Sequence, residues 1–195
     1  MLTIPDNAPF TGTQKMWLKG FLAGIAAGLP QGGASTPAAP VAEAPESGVP
    51  VTILWGSQTG TAESYAKKLA KALTARGHSP TILDMAEVGV DQLSSIRHLA
   101  ILTSTYGDGE PPDNALSLHT ALHAESPPLT DLGFTVFALG DSNYPEFCKC
   151  GHDFYNRLTA LGAKPLVPLM TSDVDHDLPF KEWSASILST LITDH

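Results

Sequence analysis

The sequence predicts one doubly wound α/β domain over residues 51–195, in which helices cover both faces of a parallel sheet. From Val51 onward, short apolar runs alternate with longer segments of helical period. The first run, Val51 to Trp55, is continuous, which is typical of a parallel strand that is buried on both faces. Right-handed crossovers between such strands place helices on both sides of the sheet, and ligands bind beyond the carboxyl ends of the strands.

Five strands and four helices are expected in this domain. The predicted strands are Val51 to Trp55, Thr81 to Asp84, Leu99 to Thr103, Phe134 to Leu139 and Lys164 to Met170. The predicted helices are Thr61 to Arg76, Asp113 to Ala124, Glu146 to Leu161 and Phe180 to Ile192. Gly77 and Gly162 end two of these helices, and Trp183 is expected to pack the last helix onto the sheet.

The first 50 residues differ in character from the rest. Residues 1–30 contain a short predicted helix, 11–28, whose apolar side chains share one face and which ends at Gly28 and Pro30. Residues 31–50 are rich in Ala, Pro, Gly and Ser and predict a flexible linker. The helix is interpreted either as a separate docking element or as a segment that packs on the domain's own surface.

Composition excludes several classes of function. With 195 residues the chain is too short for two ordinary domains. Its formal net charge of -9 argues against nucleic-acid and anionic-membrane binding, although an acidic face can steer a basic partner protein. The alternative is that this charge only keeps the chain soluble.

Cysteine content and hydropathy bear on the compartment. Only Lys149 separates Cys148 from Cys150, so neither a disulfide framework nor a zinc spacing exists, and the histidines show no shared ligand spacing. A reducing, cytoplasmic location is expected. The longest apolar stretch, 21–29, is too short to span a membrane. A secretory signal is the alternative, which Asp6 and Lys15 disfavour.

The loop after the first strand predicts an anion site. Ser57-Gln58-Thr59-Gly60-Thr61 places three hydroxyls and a permissive glycine at a helix start, where backbone N–H groups favour negative charge. The Gly-Lys-Ser/Thr of triphosphate-binding loops and the triple-glycine dinucleotide fingerprint are both missing. A terminal monophosphate suits the loop, and the alternative is a plain turn with Thr61 as N-cap.

Two further loops each carry an aromatic residue. Tyr106 follows the third strand in a loop with two glycines and two prolines, and Tyr144 follows the fourth strand. A sheet in the order 2-1-3-4-5 places the loops after its first, third and fourth strands side by side. The predicted pocket therefore has a phosphate hole and two aromatic walls for a flat ring.

These motifs resemble the FMN-binding flavodoxin-like domain of the diflavin reductases, in particular the flavoprotein (alpha) component of NADPH-sulfite reductase. The resemblance lies in Ser57-Gln58-Thr59-Gly60, in Ser104-Thr105 with Gly107 and Gly109-Glu110-Pro111-Pro112, and in Leu139-Gly140-Asp141-Ser142. Gln14 and Trp17 to Gly24 resemble the leading segment of that component. The likeness is weaker over Pro165 to Asp177, where Asp173 or Asp175 stands in for an acidic loop. In the loop after the third strand, Tyr106 replaces the glutamine that is common in that component.

The resemblance implies a flavodoxin-like fold, FMN as the cofactor and a set of residues that hold it. The phosphate would be held by Ser57, Gln58, Thr59, Gly60, Thr61 and Ala62. One side of the isoalloxazine would be lined by Ser104, Thr105, Tyr106 and Gly107. The other side would be lined by Leu139, Gly140, Asp141, Ser142, Asn143, Tyr144, Pro145, Glu146, Phe147 and Cys148. Asp108, Glu110 and Asp141 would disfavour extra negative charge on the reduced ring.

The resemblance also implies redox partners. An FAD- and NADPH-binding module, in a missing C-terminal half or in a partner, would deliver electrons, and a siroheme-type hemoprotein subunit would accept them singly. We therefore expect that the chain alone does not oxidise NADPH.

Three alternatives differ in the class of protein. The first is a free-standing flavodoxin-like carrier, which would need neither the N-terminal helix nor the linker. The second is a scaffold without cofactor, which Tyr106 and the hydroxyl loop disfavour. The third is a Gly-Asp-Ser esterase that would use Ser142, His176 and Asp173 as a triad, although that family places its serine after the first strand.

Overall fold

The structure, a computed structural model, describes residues 48–193. Its strands are β1 (Pro50–Gly56), β2 (Ser79–Asp84), β3 (His98–Ser104), β4 (Gly133–Leu139), β5 (Lys164–Pro165) and β6 (Met170–Ser172). Its helices are α1 (Thr61–Thr74), α2 (Asp113–Ala124), α3 (Lys149–Ala160) and α4 (Asp177–Thr193). Two short 3-10 helices, Met85–Glu87 and Val90–Ser95, follow β2. The predicted N-terminal helix and all but the last three residues of the predicted linker lie outside the described residues.

The sheet is parallel and has the order β2-β1-β3-β4-β5, which confirms the predicted 2-1-3-4-5 arrangement. Its fifth position differs from the prediction, because the single strand Lys164 to Met170 is in fact two short strands. β5 pairs with the start of β4 and β6 pairs with its end, while β3 occupies the other side of β4 along its whole length. Pro165 and Pro168 lack the backbone N–H that an unbroken strand needs, which accounts for the interruption.

Each face of the sheet packs against its own pair of helices. Successive strand residues point to opposite faces, so Leu54 joins the core beneath α2 and α3, and Ile53 joins the core beneath α1 and α4. The prediction for Trp183 is confirmed: its ring is buried on the sheet, and Nε1 donates a hydrogen bond to Thr135 Oγ1 at 2.8 Å.

The helix boundaries depart from the predicted ones at the functional end of the sheet. α3 begins at Lys149 rather than Glu146, because Cys148 has a positive φ of 57° that breaks the helical path. α4 begins at Asp177, three residues before the predicted Phe180, and Pro179 is tolerated because it lies in the first turn. Both starts lie at the carboxyl edge of the sheet.

Candidate functional site

A cleft of about 490 Å³ lies at the carboxyl ends of β1, β3 and β4, where the three predicted loops meet. Because these strands are neighbours in the sheet, their following loops share one edge. The cleft is lined by Thr59, Thr61, Ser104, Thr105, Tyr106, Gly107, Leu139, Gly140, Asp141, Tyr144, Glu146, Phe147, Cys148 and His176. All of these except His176 were predicted to hold the cofactor.

The other predicted residues lie in the same loops without lining the cleft. They are Ser57, Gln58, Gly60, Ala62, Ser142, Asn143 and Pro145. The hydrogen bonds of Ser57 and Gln58 fix the loop instead: Ser57 Oγ accepts from the Ala62 N–H at 3.4 Å, and Gln58 Nε2 donates to Asp113 Oδ2 at 2.9 Å. These two side chains are thus engaged with protein groups.

The loop 57–61 leads into the start of α1, where several backbone N–H groups have no hydrogen-bond acceptor in the protein. Gly60 is the N-cap of α1, with φ 81° and no side-chain cap, so the alternative that Thr61 caps the helix is wrong. Within the described residues, no protein group accepts a hydrogen bond from the backbone N–H of Thr59, Gly60, Thr61 or Glu63. The hydroxyls of Thr59 and Thr61 lie 3.0 Å apart beside them. This arrangement suits an anion.

Asn114 holds this loop in place, and the sequence pattern did not single it out. Its Oδ1 accepts from the Ser57 N–H at 2.9 Å, and its Nδ2 donates to Asp84 Oδ1 at 2.9 Å and to the Trp55 carbonyl at 3.3 Å. The side chain therefore connects α2 to the ends of β1 and β2. Bonds between residues so far apart in the chain leave no local signal in the sequence.

Tyr106 sits on a loop that is stabilised by its own backbone. The Tyr106 N–H donates to the Glu110 carbonyl at 2.9 Å, and the Glu110 N–H donates back at 2.8 Å. Gly107 and Gly109, with φ of 52° and 105°, allow the chain to reverse between them. The ring of Tyr106 remains 52% exposed, so it is available to stack on a flat ligand.

The loop after β4 carries the second exposed ring, that of Tyr144. The beginning of this loop packs tightly against Cys148. Tyr144 is 60% exposed, and its N–H donates to the Asp141 carbonyl at 3.1 Å in a turn. A Cβ on Gly140 would lie 2.8 Å from Cys148 Sγ, which explains the glycine. Burial raises the pKa of the Cys148 thiol to about 11 and that of Cys150 to about 12. Both thiols are therefore neutral packing groups at neutral pH.

The acidic loop after β6 is hydrogen-bonded to the loop after β4. Asp173 accepts hydrogen bonds from the Ser142 hydroxyl, from the Ser142 N–H at 3.0 Å and from the Val174 N–H at 2.8 Å. These bonds, that of the Ser142 hydroxyl first, lower the pKa of Asp173. Asp173 thus links this loop to the loop after β4.

The structure does not form the esterase triad. Ser142 Oγ donates to Asp173, whereas His176 Nδ1 lies 2.8 Å from Ser172 Oγ. A triad requires the serine hydroxyl to bond the histidine, and no such bond links Ser142 and His176 in the described residues. This geometry gives Ser142 a structural role.

The cleft fits a flavin monophosphate on two independent observations. Unsatisfied N–H groups and hydroxyls suit the phosphate, and the exposed rings of Tyr106 and Tyr144 suit the isoalloxazine. Within residues 48–193, no group of His, Cys, Asp and Glu could hold a metal ion. In the same range, none of the helices is both long and apolar enough to cross a membrane.

The fold and the site together define a flavodoxin-like cofactor domain. Residues 53–183 match the flavodoxin family, and the chain belongs to it. FMN is the cofactor of this domain. Among solved structures, a cysteine-to-alanine mutant of the flavodoxin from Pseudomonas aeruginosa is 30% identical with a TM-score of 0.65, covering 74% of this chain and 99% of that one. A Streptococcus pneumoniae flavodoxin, at 24% identity and TM-score 0.67, covers 75% of this chain and 100% of that one and supports the fold.

Among curated proteins, the chain is similar to sulfite reductase [NADPH] flavoprotein alpha-components. It is 45% identical to that of Bacillus subtilis over 185 residues, which are 93% of this chain and 30% of the relative. It is 36% identical to that of Escherichia coli O1:K1 / APEC over 182 residues, again 93% of this chain and 30% of the relative. The chain therefore spans about a third of the length of these relatives.

Proposed function

We propose that this chain is the FMN-binding electron-transfer part of a diflavin reductase of the sulfite reductase type. The observation that carries the proposal is a single cleft that combines a hydroxyl-rich helix start with the exposed rings of Tyr106 and Tyr144. A free-standing flavodoxin is the second candidate, since this chain covers nearly all of the Pseudomonas flavodoxin. The match to the Bacillus relative favours the first, because its 93% coverage must extend well into residues 1–47.

In this proposal the chain's residues bind and orient the cofactor. The N–H groups around Gly60 and the hydroxyls of Thr59 and Thr61 hold the phosphate, while Tyr106 and Tyr144 lie against the ring. When bound, FMN supplies the redox chemistry, because its ring takes up and releases electrons. The protein contributes position and electrostatics.

The charge of the cleft disfavours additional negative charge on the cofactor. Asp141 and Glu146 line the cleft, and Asp108 and Glu110 are exposed in the adjoining loop. Nearby carboxylates raise the free energy of an anionic ring through like-charge repulsion. In this proposal these residues therefore help to set the reduction potential of the bound FMN.

The proposed partners follow from the resemblance to the diflavin reductases and from the chain's charge. An FAD- and NADPH-binding module delivers electrons, and a siroheme-type hemoprotein accepts them, in the cytoplasm. A net charge of -9 is suited to steering a basic partner surface toward the chain.

Titration with FMN and with riboflavin tests the proposal. We expect about one FMN per chain, seen as oxidised flavin absorption and quenched flavin fluorescence, and weaker binding of riboflavin, which lacks the phosphate. Thr59→Val and Thr61→Val should each weaken FMN binding by about ten- to hundredfold, because hydrogen bonds to charged groups are worth about 1.5–3 kcal/mol. Thr81→Val, on the exposed side of β2, is the matched control and should leave the affinity unchanged.

Two outcomes would contradict the proposal. A protein that stays colourless after FMN is added has no cofactor site of this kind. Measurable NADPH oxidation by the purified chain with FMN alone would contradict the assignment of NADPH chemistry to a separate module.

A further inference from the structure

His176 is the cleft-lining residue that the cofactor-site prediction did not include. It lies between the end of β6 and the start of α4, with its Nδ1 2.8 Å from Ser172 Oγ. No hydrogen bond involves its Nε2 in the part of the chain that the structure describes. Since the side chain lines the cleft, this nitrogen is available to a bound ligand.

The position of His176 places it at the phosphate end of the cleft. Its ring packs edge-on against the ring of Tyr65, with centroids 5.9 Å apart. Tyr65 lies one helical turn after Thr61, and residues four apart share a face of a helix. His176 is therefore adjacent to the first turn of α1, whose free N–H groups form the anion site.

Among the described residues that line the cleft, His176 is the one side chain that can carry a positive charge. Neither lysine nor arginine is present in that lining, yet a phosphate monoester is close to a dianion at neutral pH. The carboxylates nearest to His176 already have partners. Asp177 accepts from Tyr65 Oη and Lys68 Nζ, Asp175 accepts from the Asp177 N–H at 3.3 Å, and Asp173 accepts from Ser142.

The surroundings of His176 keep it neutral without a ligand and favour protonation when an anion arrives. Burial is the largest effect on its pKa and lowers it, while the Asp173 carbonyl and nearby carboxylates act in the opposite direction. A phosphate beside the ring would add a further negative charge and raise the pKa. The titratable groups that face His176 from its own segment and from α1 are Asp173, Asp175, Asp177, Tyr65 and, through Asp177, Lys68.

We propose that His176 is a phosphate ligand of the bound FMN, and that it takes up a proton as the cofactor binds. The inference rests on the proposed FMN function and adds a residue and a pH dependence to it. Without a ligand the imidazole ring of His176 is neutral. When the ring is protonated, it donates a charge-assisted hydrogen bond to the phosphate. FMN binding therefore becomes tighter as the pH falls through the pKa of the bound state.

The test compares FMN with riboflavin in wild type and in His176→Gln, which keeps a hydrogen-bond donor without the charge. The FMN phosphate itself titrates near about pH 6, so the informative quantity is the ratio of wild-type to variant affinity at each pH. We expect this ratio to grow by about tenfold for FMN between about pH 8 and about pH 6, and to stay constant for riboflavin. His152→Gln, an exposed histidine on α3, is the matched control and should behave as wild type.

A second measurement needs no variant. The ring signals of His176 in a carbon–proton NMR titration should show a higher pKa with FMN bound than in the free protein, and no such rise with riboflavin. A constant FMN ratio across pH, an equal effect on riboflavin, or an unchanged ring pKa would overturn the inference. A wild-type chain that does not bind FMN would instead overturn the proposed function.

Discussion

Replacing Trp183 by phenylalanine should destabilise the domain, chiefly because it leaves a buried hydroxyl without its donor. Trp183 Nε1 and Thr135 Oγ1 are 2.8 Å apart, and both residues are 1% exposed. An unsatisfied buried hydroxyl costs about 1–3 kcal/mol. The smaller ring also leaves space beside Phe137 and Phe180, for about 1–2 kcal/mol more. The expected loss of about 2–5 kcal/mol is a large part of a domain's typical stability of about 5–15 kcal/mol.

A double-mutant cycle separates the hydrogen bond from the packing. Thr135→Val alone leaves the indole N–H of Trp183 without an acceptor, which should lower the free energy of unfolding by about 1–3 kcal/mol. The double variant removes both polar groups, so its loss should be smaller than the sum of the single losses by about 1–3 kcal/mol. Urea unfolding followed by far-UV circular dichroism without FMN gives each free energy, provided that the m-value is constant.

Trp55→Phe changes a half-buried indole for which the structure gives no side-chain hydrogen bond, and it should cost less than Trp183→Phe. If the losses of Trp183→Phe and Thr135→Val are simply additive, the bond between them does not stabilise the fold and the reasoning is wrong.

Three further predictions concern the cleft. Gly140→Ala places a Cβ 2.8 Å from Cys148 Sγ and 3.0 Å from Cys148 N. It should lower the free energy of unfolding, followed by thermal denaturation, by about 1–3 kcal/mol and weaken FMN binding. An unchanged FMN affinity in fluorescence titrations would contradict the proposed cleft. Because the pKa of Cys148 is raised to about 11, thiolate forms only at strongly alkaline pH; Ellman's reagent at about pH 8 should react slowly with the folded protein and fully in urea, and fast reaction of the folded state would refute this. Tyr106→Leu should weaken FMN binding and reduce the quenching of flavin fluorescence, whereas Tyr106→Phe, which keeps the ring, should not; equal effects of the two variants would exclude stacking.

Much of the fold could be predicted because the buried strands have an unambiguous signal. The runs that form β1, β3 and β4 are almost continuously apolar, and the structure buries them between two helical layers. The predicted order of the sheet is one that is common among doubly wound domains. Helix ends marked by glycine, such as Gly77 with φ 85°, were also close to the observed ends.

The errors arose where tertiary contacts override local pattern. Cys148 takes a left-handed conformation that is unusual for its type, which delays the start of α3 in a way no propensity indicates. The prolines within the last predicted strand are a local signal, and they indicate the break between β5 and β6.

The loops that line the cleft could be predicted from the sequence, whereas the residues that hold these loops in place could not. Hydroxyls, glycines and tyrosines after successive strands indicated the cleft, because strand topology brings them together. Asn114 was missed because its role depends on acceptors and donors more than fifty residues away in β1 and its loop. The sequence predicts a role for His176 only as a member of a triad, because the loop that carries it is where the family resemblance is weakest.

Two of the three strands at the borders of the described sheet contain a proline, Pro80 in β2 and Pro165 in β5, and the third, β6, is only three residues long. Exposed strand edges can recruit strands from other chains, and a proline interrupts the row of donors that such growth requires. The break between β5 and β6 shortens one border further. We expect these features to disfavour edge-to-edge aggregation of the domain through its own sheet, even at high protein concentration.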